Sequence, residues 1–199
     1  MIPRVFNFLC ALIGLILLSL MFPVTSLLVK ITSPGLVFHH GRRVGLNGKL
    51  FGLYKVRTMV VGAANISPAI TAQHDLRITP LGRILRRTKI DELPQRLNVL
   101  KGDMSSRGPR PEDPRYVVLH TSEQRGVLKV RHGVTSPASL SYRFEEAMPH
   151  GADRERTYCT EVLPAKLAID LACPSRRTLF SDIVLISRTI FSMLRQHTP

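Results

Sequence analysis

TPLGRILRRTKIDELPQRLNVLKG, residues 79–102, carries the densest structural instruction in the chain. Thr79-Pro80 reads as a helix N-cap followed by proline at the first helical position, where its missing amide costs nothing. Leu81, Ile84, Leu85 and Thr88 then predict an apolar stripe, with Arg83, Arg86, Arg87 and Lys89 crowding the rest of the turn. A second helix is expected from about Asp91, with Leu93, Leu97 and Leu100 on one face and Pro94 tolerated in its first turn. Gly102 is a natural stop. Two short helices joined by an acidic pair in a basic field therefore form the centre of the reading.

Downstream, SSRGPRPEDPR (residues 105–115) is a stiff basic loop with three prolines. Upstream, residues 36–59 contain Asn47-Gly48 between two extended segments, the signature of a type I′ hairpin. Strand alternation puts Tyr54, Val56 and Thr58 on one face and Leu53, Lys55 and Arg57 on the other. Residues 62–78 are small and polar and read as a loop. Near the end, Leu179, Phe180, Ile183, Ile186, Ile190, Phe191 and Leu194 mark an amphipathic helix flanked by Arg176, Arg177, Arg188 and Arg195. Periodicity leaves two roles open for it, a core helix or an interfacial helix on anionic lipid.

The N-terminal run from Val5 to Val29 holds no charge and is bounded by Arg4 and Lys30. At helical rise, 25 residues cover about 37 Å, against roughly 30 Å of bilayer hydrocarbon. The run is too long for a cleaved signal peptide, and no small-x-small site follows it cleanly. Pro23 removes an amide donor and bends or breaks a helix. Two geometries follow, a kinked span or a broken helix that enters and leaves by the same face. The residues alone favour the span; the basic domain after residue 30 stays cytoplasmic in either.

With 28 Lys+Arg against 14 Asp+Glu, the 199-residue chain carries +14 and a pI near 10.7, which calls for an anionic partner. Cys10, Cys159 and Cys173 form no CxxC pair, and the seven histidines show no HExxH spacing. A disulfide framework and a zinc site are thus disfavoured, and a reducing compartment is expected. Trp is absent and aromatics are 6%, so no base-stacking platform supports nucleic-acid binding.

Asp91-Glu92 is the pair best placed for chemistry. In an arbitrary protein it would be a helix cap. Here Arg83, Arg86, Arg87, Lys89 and Arg96 surround it in sequence, a field that favours an ionised carboxylate and would hold a diphosphate. An ionised aspartate can act as a nucleophile or bind Mg²⁺. Arg110, between Pro109 and Pro111, is presented stiffly and suits a bidentate phosphate contact, or is simply part of a solvated basic loop. Lys55 and Arg57 are a second phosphate grip or the polar face of a strand. GxxxxGK[ST] and GxGxxG are both missing.

These motifs, in this order, resemble the bacterial sugar transferases, the monotopic phosphoglycosyl transferases. The resemblance rests on the proline-interrupted apolar segment, FGLYKVRTM (51–59), LGRILRRTKIDELPQRLNVLKGDMSSRGPRP (81–111), VRHGVTSPASLSYRFEE (130–146) and KLAIDL (166–171). It implies a ping-pong transfer of a sugar-1-phosphate from a UDP-sugar to undecaprenyl phosphate. Asp91 would attack the β-phosphorus and release UMP, Glu92 would assist, and Mg²⁺ would neutralise the diphosphate with Asp91 near or on it. Arg110, Arg131 and Arg143 match arginines expected to bind phosphate or nucleotide. Lys55, Arg57 and Arg86 would join them, and Asp170 matches an acidic position near the site. The resemblance also implies a re-entrant helix bent at the proline, reversing the preference for a span. Two departures are visible: Phe22-Pro23 stands where many members have Ser-Pro, and RHGVTSPAS stands where many have RPGITGWAQ.

The expected architecture is mixed α/β (α+β): residues 1–31 form the membrane anchor, and residues 32–199 a cytoplasmic catalytic domain with a small hairpin sheet, short helices and interfacial helices. The expected partners are a UDP-sugar, undecaprenyl phosphate and the bacterial inner membrane, with nucleic acid excluded and a homodimer allowed. The alternatives are a membrane-tethered basic module that binds nucleic acid or anionic lipid, and a family member that has lost catalysis.

Overall fold

Helix α1, Ile2–Thr32, continues through Pro23. The computed structural model describes residues 2–63, 70–71, 75–143, 154–172 and 178–194. Around the proline, the Thr25 hydroxyl donates to the carbonyls of Met21 and Phe22 at 3.0 and 3.1 Å, and Ser26 donates to that of Pro23. Hydroxyls thus engage carbonyls in the turn where the ring removes an amide. One stripe of α1 is buried, at Ala11, Gly14, Leu18, Thr25 and Val29, with helical spacing along most of its length. The opposite surface is apolar and exposed, for example at Ile13, Leu20, Val24 and Leu27.

The stripe is covered by the rest of the chain. Ala11 packs with Leu53, Val99 and Met104, and Val29 packs with Val56 and Leu85. Asn7 accepts a hydrogen bond from the Ser106 amide at 2.9 Å. From Asn7 to Val29 this is a contact line of about 33 Å at helical rise.

Strands β1 (Phe38–Val44) and β2 (Leu50–Val56) pair antiparallel, with Phe38 opposite Val56 and Val44 opposite Leu50. Asn47 and Gly48 take φ of 55° and 75°, and the Lys49 amide donates to the Leu46 carbonyl, which is the turn the Asn-Gly pair predicts.

Helix α2, Pro80–Arg87, begins as read, with the Thr79 hydroxyl accepting from the Gly82 amide. Its stripe is narrower than expected. Leu85 is buried and Ile84 is 60% exposed, because Gly82 lies directly against the Thr58 carbonyl. The second helix also differs. Lys89 is left-handed (φ 56°), Ile90–Glu92 form a 3₁₀ turn, and helix α3 occupies Gln95–Lys101 before Gly102 caps it at φ 88°. The face it buries is Gln95, Asn98 and Val99, not the leucines; Leu100 is exposed. Asn98 explains this. Its amide donates to the Gly52 carbonyl at 2.7 Å, and its carbonyl accepts from the Tyr54 amide at 3.1 Å, locking α3 onto β2.

The proline-rich loop starts in a short strand. Strand β3 (Ser105–Arg107) pairs parallel with β4 (Gly133–Thr135). Between them lie α4 (Pro114–Val117) and a 3₁₀ turn at Gln124–Lys129. Helix α5 (Pro137–Ser141) follows, capped by Ser136. Helix α6 (Arg154–Thr157) runs through a π turn at Tyr158–Val162 into α7 (Leu163–Ala172). Tyr116, Val127, Tyr158, Val162, Leu163 and Leu167 make the second core.

Helix α8, Leu179–Leu194, is fastened by its polar side. Arg107 donates to Asp182 at 2.9 Å and to Ser181 at 2.7 Å. Phe180, Ile183, Ile190 and Phe191 are 76, 49, 54 and 60% exposed while Leu185 is buried, so much of the apolar face of α8 lies outside the core. Arg176, Arg177, Arg195, most of the 62–78 loop and Phe144–Glu146 of the family segment lie outside the described residues.

Candidate active site

Lys55, Asp91, Glu92 and Arg110 come from β2, the 3₁₀ turn and the loop after β3, and the fold brings them together. The Glu92 carboxylate accepts from Lys55 Nζ at 2.9 Å and from the Arg110 guanidinium. Burial alone would raise the Glu92 carboxyl. Arg110, Lys55 and Lys89 more than reverse that and hold it well below the usual carboxylate range. Burial lowers Lys55, opposed by Glu92.

Asp91 is different in kind. It is 4% exposed, and its Oδ1 has no hydrogen-bond partner among the described residues. Desolvation pushes its carboxyl up to about 6, with Lys55, Lys89 and Arg86 pulling the other way and Glu92 adding to the rise. Two adjacent carboxylates therefore have separate tasks, Glu92 ionised and gripped by cations, Asp91 poised and uncommitted. Four residues on, Gln95 is 1% exposed, and its Nε2 also lacks a partner among the described residues. Its place one helical turn past Asp91 was the available signal for it.

Arg110 is held by its backbone. The Gly108 amide donates to the Thr135 carbonyl at 3.0 Å, and the Pro109 carbonyl accepts from the Gly133 amide at 2.9 Å. Asp170 completes the clamp. It accepts from the Ala138 amide at 3.2 Å, from the Ser136 side chain and from the Arg110 backbone amide. These hydrogen bonds tie the Pro109–Pro111 loop to the Ser136 cap. Burial raises its carboxyl. Ser136-Pro137 repeats the Thr79-Pro80 cap signal and could have been read as such.

The other predicted residues divide. Arg86 donates to the Thr58 hydroxyl at 3.0 Å and remains within electrostatic reach of Asp91. Arg131 lies two residues before the start of β4, and its buried Nε has no partner among the described residues. Arg57 does not share the Lys55 cluster. It donates to the carbonyls of Ser33 and Pro34, at 2.7 and 2.6 Å, where the end of α1 leaves acceptors open. Arg143 donates to the Ser192 carbonyl at 3.0 Å, in the last turn of α8. Strand alternation leaves Arg57 as a phosphate grip or the polar face of a strand, and the resemblance implies a phosphate role for Arg143; in this structure both side chains close helix-end carbonyls.

No group of three or more His, Cys, Asp or Glu side chains suited to a metal occurs among the described residues. Asp91 Oδ1, a hard oxygen without a partner, nevertheless fits Mg²⁺, which typically takes one or two carboxylates and completes its shell with water and substrate phosphates.

A family model described as bacterial sugar transferase matches residues 1–196. The UDP-N-acetylgalactosamine-undecaprenyl-phosphate N-acetylgalactosaminephosphotransferase of Aeromonas hydrophila is 40% identical over 97% of this chain and 44% of its own length. The exopolysaccharide production protein ExoY of Rhizobium meliloti is 32% identical over 96% of the chain and 84% of its own. The UDP-glucose:undecaprenyl-phosphate glucose-1-phosphate transferase of Escherichia coli is 31% identical over 96% and 40%. The chain thus spans less than half of the Aeromonas and Escherichia proteins, and almost all of it lies inside the matched region. On these grounds the chain belongs to the bacterial sugar transferase family.

Proposed function

We propose that this protein transfers a sugar-1-phosphate from a UDP-sugar to undecaprenyl phosphate. The observation that carries the reading is Asp91, a buried carboxylate with an unpartnered oxygen beside a glutamate that two cations hold. Asp91 Oδ attacks the β-phosphorus. The bond from that phosphorus to the bridging oxygen breaks, and the electron pair leaves with UMP. An oxygen of the lipid phosphate then attacks the same phosphorus and frees the Asp91 carboxylate, giving a polyprenyl diphosphate sugar. Lys55 and Arg110 exchange Glu92 for donor phosphate oxygens, while Glu92 keeps both cations placed between turnovers. Bound Mg²⁺ would supply charge neutralisation at the diphosphate, with Asp91 as its protein ligand.

Membrane placement belongs to the same proposal. The buried stripe of α1 runs from Ala11 to Val29 against one domain, which supports a helix held along its length by that domain on the cytoplasmic side. A helix crossing to the far side would leave its first turns away from the domain. Cysteines at residue 2 and in the catalytic domain should both react with an impermeant reagent only from the cytoplasmic face; labelling of residue 2 from outside would restore the span.

The primary test is UMP release by detergent-solubilised protein with undecaprenyl phosphate, Mg²⁺ and a panel of UDP-sugars. Release should depend on pH with one sign. Asp91 must be ionised to attack, so kcat/KM for the donor should fall as pH drops through about 6. A rate independent of pH between 5 and 7.5 would remove Asp91 as the attacking group.

A further inference from the structure

Arg96, on α3 one turn past Glu92, lies flat against α1 at Gly14. A Cβ at Gly14 would stand 2.8 Å from Arg96 Cγ, 3.2 Å from Cδ and 3.1 Å from Nε. The glycine is the notch that admits the arginine. Cys10, one turn earlier on α1, and Glu92 are the groups within its electrostatic reach, and burial lowers the guanidinium from its ordinary value. Lys55, Arg107, Arg110 and Arg115 all reach carboxylates, whereas the Arg96 guanidinium makes no hydrogen bond or ion pair with a described residue. A desolvated cation without a counter-ion is costly unless an anion arrives to meet it.

The setting indicates which anion. Leu12, Ile13, Ile16 and Leu17 flank Gly14 on α1 and are 42, 61, 53 and 50% exposed. The guanidinium therefore sits at the root of an apolar helix surface and within reach of the Asp91-Glu92 turn. A hydrocarbon chain can lie along the first while a phosphate meets the planar fork of the second. We propose that Arg96, seated in the Gly14 notch, grips the phosphate of the lipid acceptor and holds it beside the reaction centre. This rests on the transferase reading above and adds a residue dedicated to its second substrate.

The test reads lipid binding first. In neutral detergent, undecaprenyl phosphate should raise the Tm of the full-length protein, as a ligand of the folded state does. The same mole fraction of dioleoyl phosphatidylglycerol should raise it far less, which separates the acceptor from bulk anionic lipid. Arg96→Gln should lose most of the shift. Gly14→Ala should do likewise by displacing the arginine, and alanine is the better helix former, so unfolding is not expected to confuse it. In turnover, both variants should raise KM for the lipid about tenfold or more while UMP exchange into the UDP-sugar stays within about threefold. A full lipid shift in both variants, an equal shift from phosphatidylglycerol, or an unchanged lipid KM overturns the assignment. A wild type that releases no UMP from any UDP-sugar would end the transferase reading separately, since the lipid shift still decides Arg96.

Discussion

Asp91→Asn should abolish turnover and make the protein more stable. The loss should reach about 10³-fold or more, as for removal of a covalent nucleophile. Stability moves the other way because of where the carboxylate sits. Burial raises the Asp91 carboxyl from 3.8 to about 6 in the folded chain. A carboxyl that binds its proton more tightly when folded loses stability as pH rises from the unfolded value through the folded one, so at pH 7 the whole cost is present. That cost is about 2–3 kcal/mol, at 1.36 kcal/mol per pKa unit. Asparagine keeps the shape without the charge, and Tm should rise by about 5 °C. Residual UMP release above a few per cent would sink the nucleophile role. A lower Tm would show that the carboxylate contributes more to folding than its burial costs.

Gly133→Ala should be among the most damaging single-methyl changes in the molecule. A Cβ there would lie 2.7 Å from the Gly108 carbonyl oxygen and closer still to Gly108 N and Arg107 C. Those are backbone atoms of the β3–β4 pairing and cannot swing aside as a side chain would. They also lead directly into Pro109–Pro111, so displacing them displaces Arg110 from Glu92. A loss of roughly 3–5 kcal/mol is expected, read as a Tm fall of about 10 °C together with loss of UMP release. Gly52→Ala is the internal contrast. Gly52 lies in β2 with nothing within 4 Å of its would-be Cβ, and there alanine should be neutral or mildly stabilising. Equal Tm values for the Gly133→Ala protein and the wild type would mean that β3 and β4 can separate without cost.

Much of the local structure could be read from residue chemistry acting over three or four positions. Asn47-Gly48, Thr79-Pro80 and Gly102 each impose a turn, a start or a stop, and each appears where the sequence places it. Asp91-Glu92 stood out because its neighbours are basic. What could not be read depends on partners distant in sequence. Asn98 looks like an ordinary helix residue until β2 offers Gly52 and Tyr54, and it then decides which face of α3 is buried. Strands of three residues, such as β3 and β4, are too short for alternation to reveal. Arg57 and Arg143 carry no mark that separates an arginine closing a helix end from one waiting for phosphate. The leucines of the 91–100 segment misled because periodicity counts apolar residues and cannot weigh a buried amide that satisfies two backbone groups.

The stripe on α1 has a practical consequence. In many membrane-bound enzymes the hydrophobic leader is an interchangeable part, removed to obtain a water-soluble catalyst or swapped for another tether. Here Ala11 and Val29 are walls of the clusters that contain Leu53, Val99, Met104, Val56 and Leu85. Asn7 also supplies the acceptor for the Ser106 amide, at the strand that leads into Arg110. Trimming the chain to residue 33 would strip one side from both clusters and leave that strand's amide without its acceptor. Expression, purification and inhibitor screening must therefore keep the whole chain in an amphiphile, and a substitute anchor would have to reproduce this stripe residue by residue, not merely match its greasiness.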